Sequence, residues 1–136
     1  MSAYTGPNAS LSDEDFIERY ETCVLAAFTH EDHLRMAFTY ARKGGAEVAV
    51  GGARNIETLA ERLGAPGKYH ETLTVAWARL VAHLALSSRA SSFEEFLGDH
   101  PQLRNRHLMG AHYSRGVLFS PEARARFVEP DLAPLP

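Results

Sequence analysis

The chain has 136 residues, of which 45% are hydrophobic and 23% charged, and its formal net charge is −3. These values are typical of a single soluble domain and exclude a largely disordered chain. The 14 Lys and Arg residues do not outnumber the 17 Asp and Glu residues, so nucleic acid is not an expected partner. No apolar run has the length of a membrane span, and residues 1–12 lack the pattern of a secretory signal. We therefore expect no membrane partner and a cytoplasmic location, which also suits a chain with one cysteine.

The first half of the chain carries two clear helix starts. Residues 1–12 are small and turn-prone, which predicts a loose N-terminal arm before a single helical domain over residues 13–136. Ser12 and the acidic residues after it predict a helix over residues 13–27, with Cys23 and Val24 on its apolar side. Thr29 is a predicted N-cap with Asp32 as its capping-box partner. This second helix is expected to end at about Lys43, before two glycines.

The second half contains the longest helical pattern, residues 67–84, which includes the only tryptophan, Trp77. A third helix over residues 53–63 precedes it and is predicted to close at Gly64 and Pro66. Short helices and an extended, proline-spaced tail over residues 127–136 are predicted to follow. The expected fold is all-α: an up-down bundle of about four main helices with short C-terminal helices laid over it.

Three histidines are predicted to converge in this bundle. The second and fourth helices of an up-down bundle run in the same direction, so their N-termini lie at one end. His30 and His33 would then meet His70 there. Helix N-termini disfavour positive charge and should keep these imidazoles neutral, the form that binds a metal or accepts a proton. His30, His33 and His70 are therefore the candidate ligands of a divalent transition metal, which is the one cofactor that the sequence suggests.

The same pocket offers residues for catalysis and for ligand binding. His70, Glu71 and His33 are the candidate catalytic residues, and Tyr69, Thr74 and Trp77 are candidate ligand contacts on the helix that starts there. A second candidate cluster, which would line a pocket for an anion, comprises His112, Tyr113, Ser114 and Arg115. The alternative is structural: histidines bonded to carbonyl or carboxylate groups at the edge of the core, with the aromatic residues as packing groups.

Two hypotheses of function follow from these patterns. The first is a protein that binds a small molecule in a histidine-lined pocket and supports metal-assisted or general acid/base chemistry. The second is a non-enzymatic accessory or protein-interaction module, a homodimer in which the histidines are structural. In that case the proline-spaced tail would lie on the surface of the partner.

Three runs of residues carry a family resemblance. They are Gly67-Lys68-Tyr69-His70-Glu71-Thr72, Thr29-His30-Glu31-Asp32-His33-Leu34-Arg35 and Phe127-Val128-Glu129-Pro130-Asp131-Leu132. With them, the chain resembles a group of small bacterial all-helical proteins to which no activity is assigned, which implies one compact domain in a bacterial cytoplasm. Its inward histidines also resemble those of metal-dependent helical-bundle hydrolases and transferases, although their spacing differs.

Overall fold

The structure, a computed structural model, describes residues 4–65 and 67–136 and consists within them of helices and loops, without a strand. The prediction of an all-α fold is confirmed. Pro66 and residues 1–3 of the predicted arm lie outside the described residues. The α-helices are α1 (Asp13–Glu21), α2 (His30–Ala53), α3 (Ile56–Arg62), α4 (Glu71–Leu86), α5 (Phe93–Asp99), α6 (Arg115–Leu118) and α7 (Pro121–Ala125), with two 3-10 helices at Pro101–Arg104 and Leu108–Ala111.

The two long helices, α2 and α4, pack against each other and form the centre of the molecule. Leu34 and Ala37 of α2 and Ala78 and Val81 of α4 are buried there. The shorter helices α1, α5 and α7 pack around this pair. The described part of the chain is therefore organised around two long helices, and an up-down arrangement of four main helices stays a prediction.

Local chemistry explains both the start of α2 and its interruption. The predicted capping box is present: the Asp32 amide donates to Thr29 Oγ1 at 3.2 Å, and the Thr29 amide donates to Asp32 Oδ2 at 2.9 Å. Gly44 and Gly45 have non-helical dihedrals, and Gly45 has a φ of 77°, which an L side chain rarely adopts. The predicted interruption at this glycine pair is confirmed, and α2 consists of two helical segments.

Helix α1 is shorter than the predicted helix over residues 13–27 and ends at Glu21. Cys23 then adopts a left-handed conformation with φ of 59°. Its amide donates to the Tyr20 carbonyl at 3.1 Å, and the next amide, of Val24, donates to Arg19 at 3.0 Å. This is the hydrogen-bond pattern of a Schellman motif, which turns the chain away from the helix axis. Val24 is consequently 63% exposed, and its predicted burial is wrong.

Replacing Cys23 with glycine is expected to raise the free energy of unfolding by roughly 0.5–1 kcal/mol, because glycine adopts the left-handed conformation without the steric cost that a Cβ adds. The gain is reduced by the greater freedom of glycine in the unfolded chain and by the lost contact of the thiol with the core. Urea denaturation followed by Trp77 fluorescence measures the change. Cys23→Val is the matched control and should be destabilising, since a β-branched residue tolerates this φ poorly.

The described part of the N-terminal arm, residues 4–12, is packed and not loose as predicted. Tyr4 is 5% exposed, and its hydroxyl donates to Asp32 Oδ1 at 2.5 Å. The Asn8 amide group donates to Asp32 Oδ2 at 3.0 Å. Buried Arg35 donates to the carbonyls of Asn8 and Leu11 at 3.0 and 2.7 Å. The arm is therefore held by hydrogen bonds to the first turns of α2.

Candidate functional site

A cavity of about 510 Å³ lies between α2, α3 and α4. Its floor is apolar and buried, and includes Leu34, Leu59 and Val81. Lys68 and Arg106 also line it and are themselves exposed, so the cavity extends from the core to the surface. A volume of this size falls within the range of ordinary small-molecule pockets, about 300–1,000 Å³.

Most of the site residues predicted around the fourth helix line this cavity. They are His30, His33, Tyr69, His70, Thr74 and Trp77. Glu71, a predicted catalytic residue, is not among the lining residues. Its carboxylate instead accepts a hydrogen bond from the Tyr69 hydroxyl at 2.5 Å and pairs with Arg54 at 2.9 Å, beside a smaller polar cavity of about 310 Å³.

His70 is the N-cap of α4, a position where a serine or asparagine is more usual. Its Nδ1 accepts a hydrogen bond from the Leu73 amide at 3.1 Å, and its Nε2 donates to the Leu118 carbonyl at 2.7 Å. These partners require the neutral tautomer that carries its proton on Nε2. Because both ring nitrogens are engaged within the protein, His70 would have to give up a hydrogen bond to act as a base or a ligand.

His30 and His33 keep one ring nitrogen each without a protein partner among residues 4–65 and 67–136. Nδ1 of His33 donates to the Thr29 carbonyl at 2.9 Å, which leaves Nε2 as an acceptor, and His33 is one of the residues that line the cavity. Nε2 of His30 donates to the Leu103 carbonyl at 2.8 Å, and its ring packs edge-on against Trp77 at 4.9 Å between centroids. His33 therefore offers the cavity a hydrogen-bond acceptor.

Burial lowers the pKa of both His33 and His70 below the usual value of 6.5. In each case the hydrogen bond to a carbonyl opposes this shift without cancelling it. Both imidazoles are therefore neutral near pH 7. For His33 this means that the free Nε2 carries a lone pair under ordinary conditions.

Among the described residues, no group of side chains matches the metal site expected from the sequence. No cluster of three or more His, Cys, Asp or Glu side chains in residues 4–65 and 67–136 is arranged to hold a metal ion. Both ring nitrogens of His70 are already engaged in hydrogen bonds, so neither is free to bind a metal ion. Metal binding by His30, His33 and His70 stays a prediction.

The second predicted cluster holds the C-terminal tail of the same chain. The backbone carbonyl of His112 accepts a hydrogen bond from the Leu132 amide at 2.9 Å. Nδ1 of the His112 ring lies 3.0 Å from the Ala133 carbonyl oxygen. The Tyr113 hydroxyl donates to the Val128 carbonyl at 2.7 Å, and burial is the main cause that raises its pKa to about 12. Arg115 is exposed. His112 and Tyr113 are therefore engaged with the extended tail, and an anion pocket at these residues stays a prediction.

Two charged residues and the whole contribution of α3 to the cavity were not predicted. Ile56 and Leu59 of α3 and the adjacent Leu63 line the cavity, whereas the sequence predicted only a helix there. The sequence signal for Lys68 is its position next to Tyr69, a predicted ligand contact. Arg106 comes from a segment with weak periodicity, and nothing in the sequence indicates that it approaches His33.

Within the described ranges, no helix combines the length and apolar character that crossing a membrane requires. Comparisons with models of protein families, with curated proteins and with solved structures found no match. The resemblance to small bacterial all-helical proteins accordingly stays a prediction.

Proposed function

We propose that this protein binds a small, largely apolar molecule in the cavity between α2, α3 and α4. The observation that carries the proposal is the cavity itself, which has about 510 Å³ of space inside a predominantly apolar wall. A concave apolar site with a few polar groups is the usual form of a small-molecule pocket. Apolar walls from three helices would supply most of the binding free energy by removing ligand surface from water.

The polar groups at the wall are few and suit orientation of a ligand. Nε2 of His33 and Nδ1 of His30 are acceptors without a protein partner in the described chain, and the indole N–H of Trp77 is a donor without one there. A ligand that carries one donor or acceptor could pair with one of these groups. The neighbouring hydroxyl of Tyr69 is already engaged with Glu71.

Catalysis at this site is a finer proposal that depends on His33. Its neutral Nε2 has the lone pair needed for general-base chemistry on a bound molecule. Metal-assisted chemistry would need further ligands besides His30 and His33. The accessory-module hypothesis, with a homodimer joined by the tail, is a second proposal. The hydrogen bonds of the tail to Tyr113 and Thr72 of its own chain do not favour it.

Titration with N-phenyl-naphthylamine, a neutral fluorescent probe, tests the binding proposal. Trp77 lines the cavity and is the only tryptophan, so energy transfer from its indole to the probe reports binding at this site. We expect saturable transfer with about one probe per chain, as for a single pocket.

Ala60→Phe is the variant that should block the site, because Ala60 lines the cavity and a phenyl ring there would fill part of it. We expect its affinity for the probe to fall by at least about tenfold, since overpacking removes ligand space. Ala46→Phe, at an exposed position on α2 outside the cavity, is the matched control and should bind normally. Absence of saturable transfer, or equal affinity in both variants, would refute the proposal.

A further inference from the structure

We infer that the ligand is an anion, namely an apolar molecule that carries a single carboxylate. This inference rests on the proposed function and specifies its ligand class. Although the chain has 17 Asp and Glu residues and a net charge of −3, none of these acidic residues is among those that line the cavity. Its fully charged lining residues are both cations, Lys68 and Arg106.

Both cations are free to meet a ligand. The ion pairs within residues 4–65 and 67–136 join Arg35 to Asp13, Arg54 to Glu71 and Arg126 to Glu122, so neither Lys68 nor Arg106 is engaged in one. Both side chains belong to exposed residues at the edge of an apolar cavity. An acid group at this edge could remain hydrated while the apolar part of the molecule enters the cavity, as amphipathic groups generally do.

The donors at the wall point to the same ligand class. Burial is the main cause of the lowered pKa of His33, and the positive charge of Arg106 acts in the same direction, while the charge of Asp32 opposes it. A cationic ligand would meet the same repulsion from Arg106 and Lys68. A carboxylate would instead find guanidinium, ammonium and indole N–H donors around the cavity, and hydrogen bonds between charged groups are stronger than neutral ones.

Competition against the bound naphthylamine probe separates the ligand class from the proposed function. The competitors are octanoate, octan-1-ol and octylamine, which share an apolar chain and differ in the charge of the head group. We expect octanoate to bind about five- to tenfold more tightly than octan-1-ol, as for a charge-assisted pair at a partly solvated site. Octylamine should bind most weakly. Added salt should narrow the difference between octanoate and octan-1-ol by screening the charges.

Variants then assign the preference to the two cations. Lys68→Gln combined with Arg106→Gln should weaken the binding of octanoate until octanoate and octan-1-ol bind equally. Arg89→Gln removes an exposed positive charge that does not line the cavity and should keep the preference for octanoate.

The proposed function survives and the anion inference fails if octan-1-ol binds as tightly as octanoate. A preference for octanoate that persists in the double variant overturns the role of the two cations. If none of the three compounds displaces the probe and the probe itself does not bind, the proposed function fails too.

Discussion

Replacing Asp32 with alanine is expected to lower the free energy of unfolding by about 3–5 kcal/mol, the range for breaking a buried charged network. Asp32 is 1% exposed and its carboxylate accepts hydrogen bonds from Tyr4, Asn8 and Thr29. Alanine would leave these donors without their acceptor in a buried environment. Each such loss costs roughly 1–3 kcal/mol. The change is a large part of the 5–15 kcal/mol that typically holds a domain together.

Asp32→Ala should weaken both the packing of the N-terminal arm and the N-terminal cap of α2. The Asp32 carboxylate fixes the N-terminal arm through Tyr4 and Asn8, and it also closes the capping box with Thr29. Arg35 depends on the same arm, because it donates to the carbonyls of Asn8 and Leu11. Release of residues 4–12 would therefore also remove partners from a buried guanidinium.

Urea denaturation followed by circular dichroism measures the loss. Glu31→Ala is the matched control, because it removes a carboxylate from the same helix turn and retains the buried network. It should cost only about 0.3–1 kcal/mol, the helix-dipole contribution. If Asp32→Ala does not fold, Tyr4→Phe removes one hydroxyl and should cost about 1–3 kcal/mol by orphaning part of the carboxylate. Wild-type stability in both Asp32→Ala and Tyr4→Phe would contradict the proposed role of the network.

The helix starts could be predicted because their causes are local. Ser12 and Thr29 each accept a hydrogen bond from the amide three residues later, as the sequence indicated. The helix break at Gly44 and Gly45 is equally local. The end of α1 could not be predicted, because its stop signal is Cys23 in a left-handed conformation that is usual for glycine.

Non-local contacts account for the features that the sequence did not reveal. The arm looked loose because its composition is turn-prone, yet Tyr4 meets Asp32 across 28 residues of sequence. Likewise, the inward position of His70 could be predicted from helical spacing, but its partner Leu118 lies 48 residues away. The pattern therefore placed the candidate site at the starts of the two long helices and could not show that one of its histidines is already fully bonded.

Replacing His70 with alanine is expected to lower the free energy of unfolding by about 2–3 kcal/mol, the sum of a lost N-cap and an orphaned carbonyl. The Leu73 amide would lose its acceptor, and the Leu118 carbonyl, which links α6 to the start of α4, would lose its donor. His70→Asn should recover part of the loss, about 1 kcal/mol, because asparagine is a good N-cap but does not restore the long-range bond. Urea denaturation of both variants gives the two values.

The pH dependence of stability distinguishes this structural role from a simple loss of packing. Burial lowers the pKa of His70 in the folded protein, so the unfolded chain binds the proton more readily. The stability contributed by the neutral imidazole is therefore complete above the unfolded pKa of 6.5, and it is lost as the pH falls through the lower pKa of the folded protein.

The pKa of His33 is also lowered in the folded protein, so its contribution to stability changes with pH in the same direction. We expect the wild type to lose stability from about pH 7 to pH 5, and His70→Ala to lose less over the same interval, since one of the two imidazoles with a lowered pKa is gone. His83→Ala, at an exposed histidine of α4, should keep the wild-type slope. A slope in His70→Ala equal to that of the wild type would show that His70 is not held neutral by the fold.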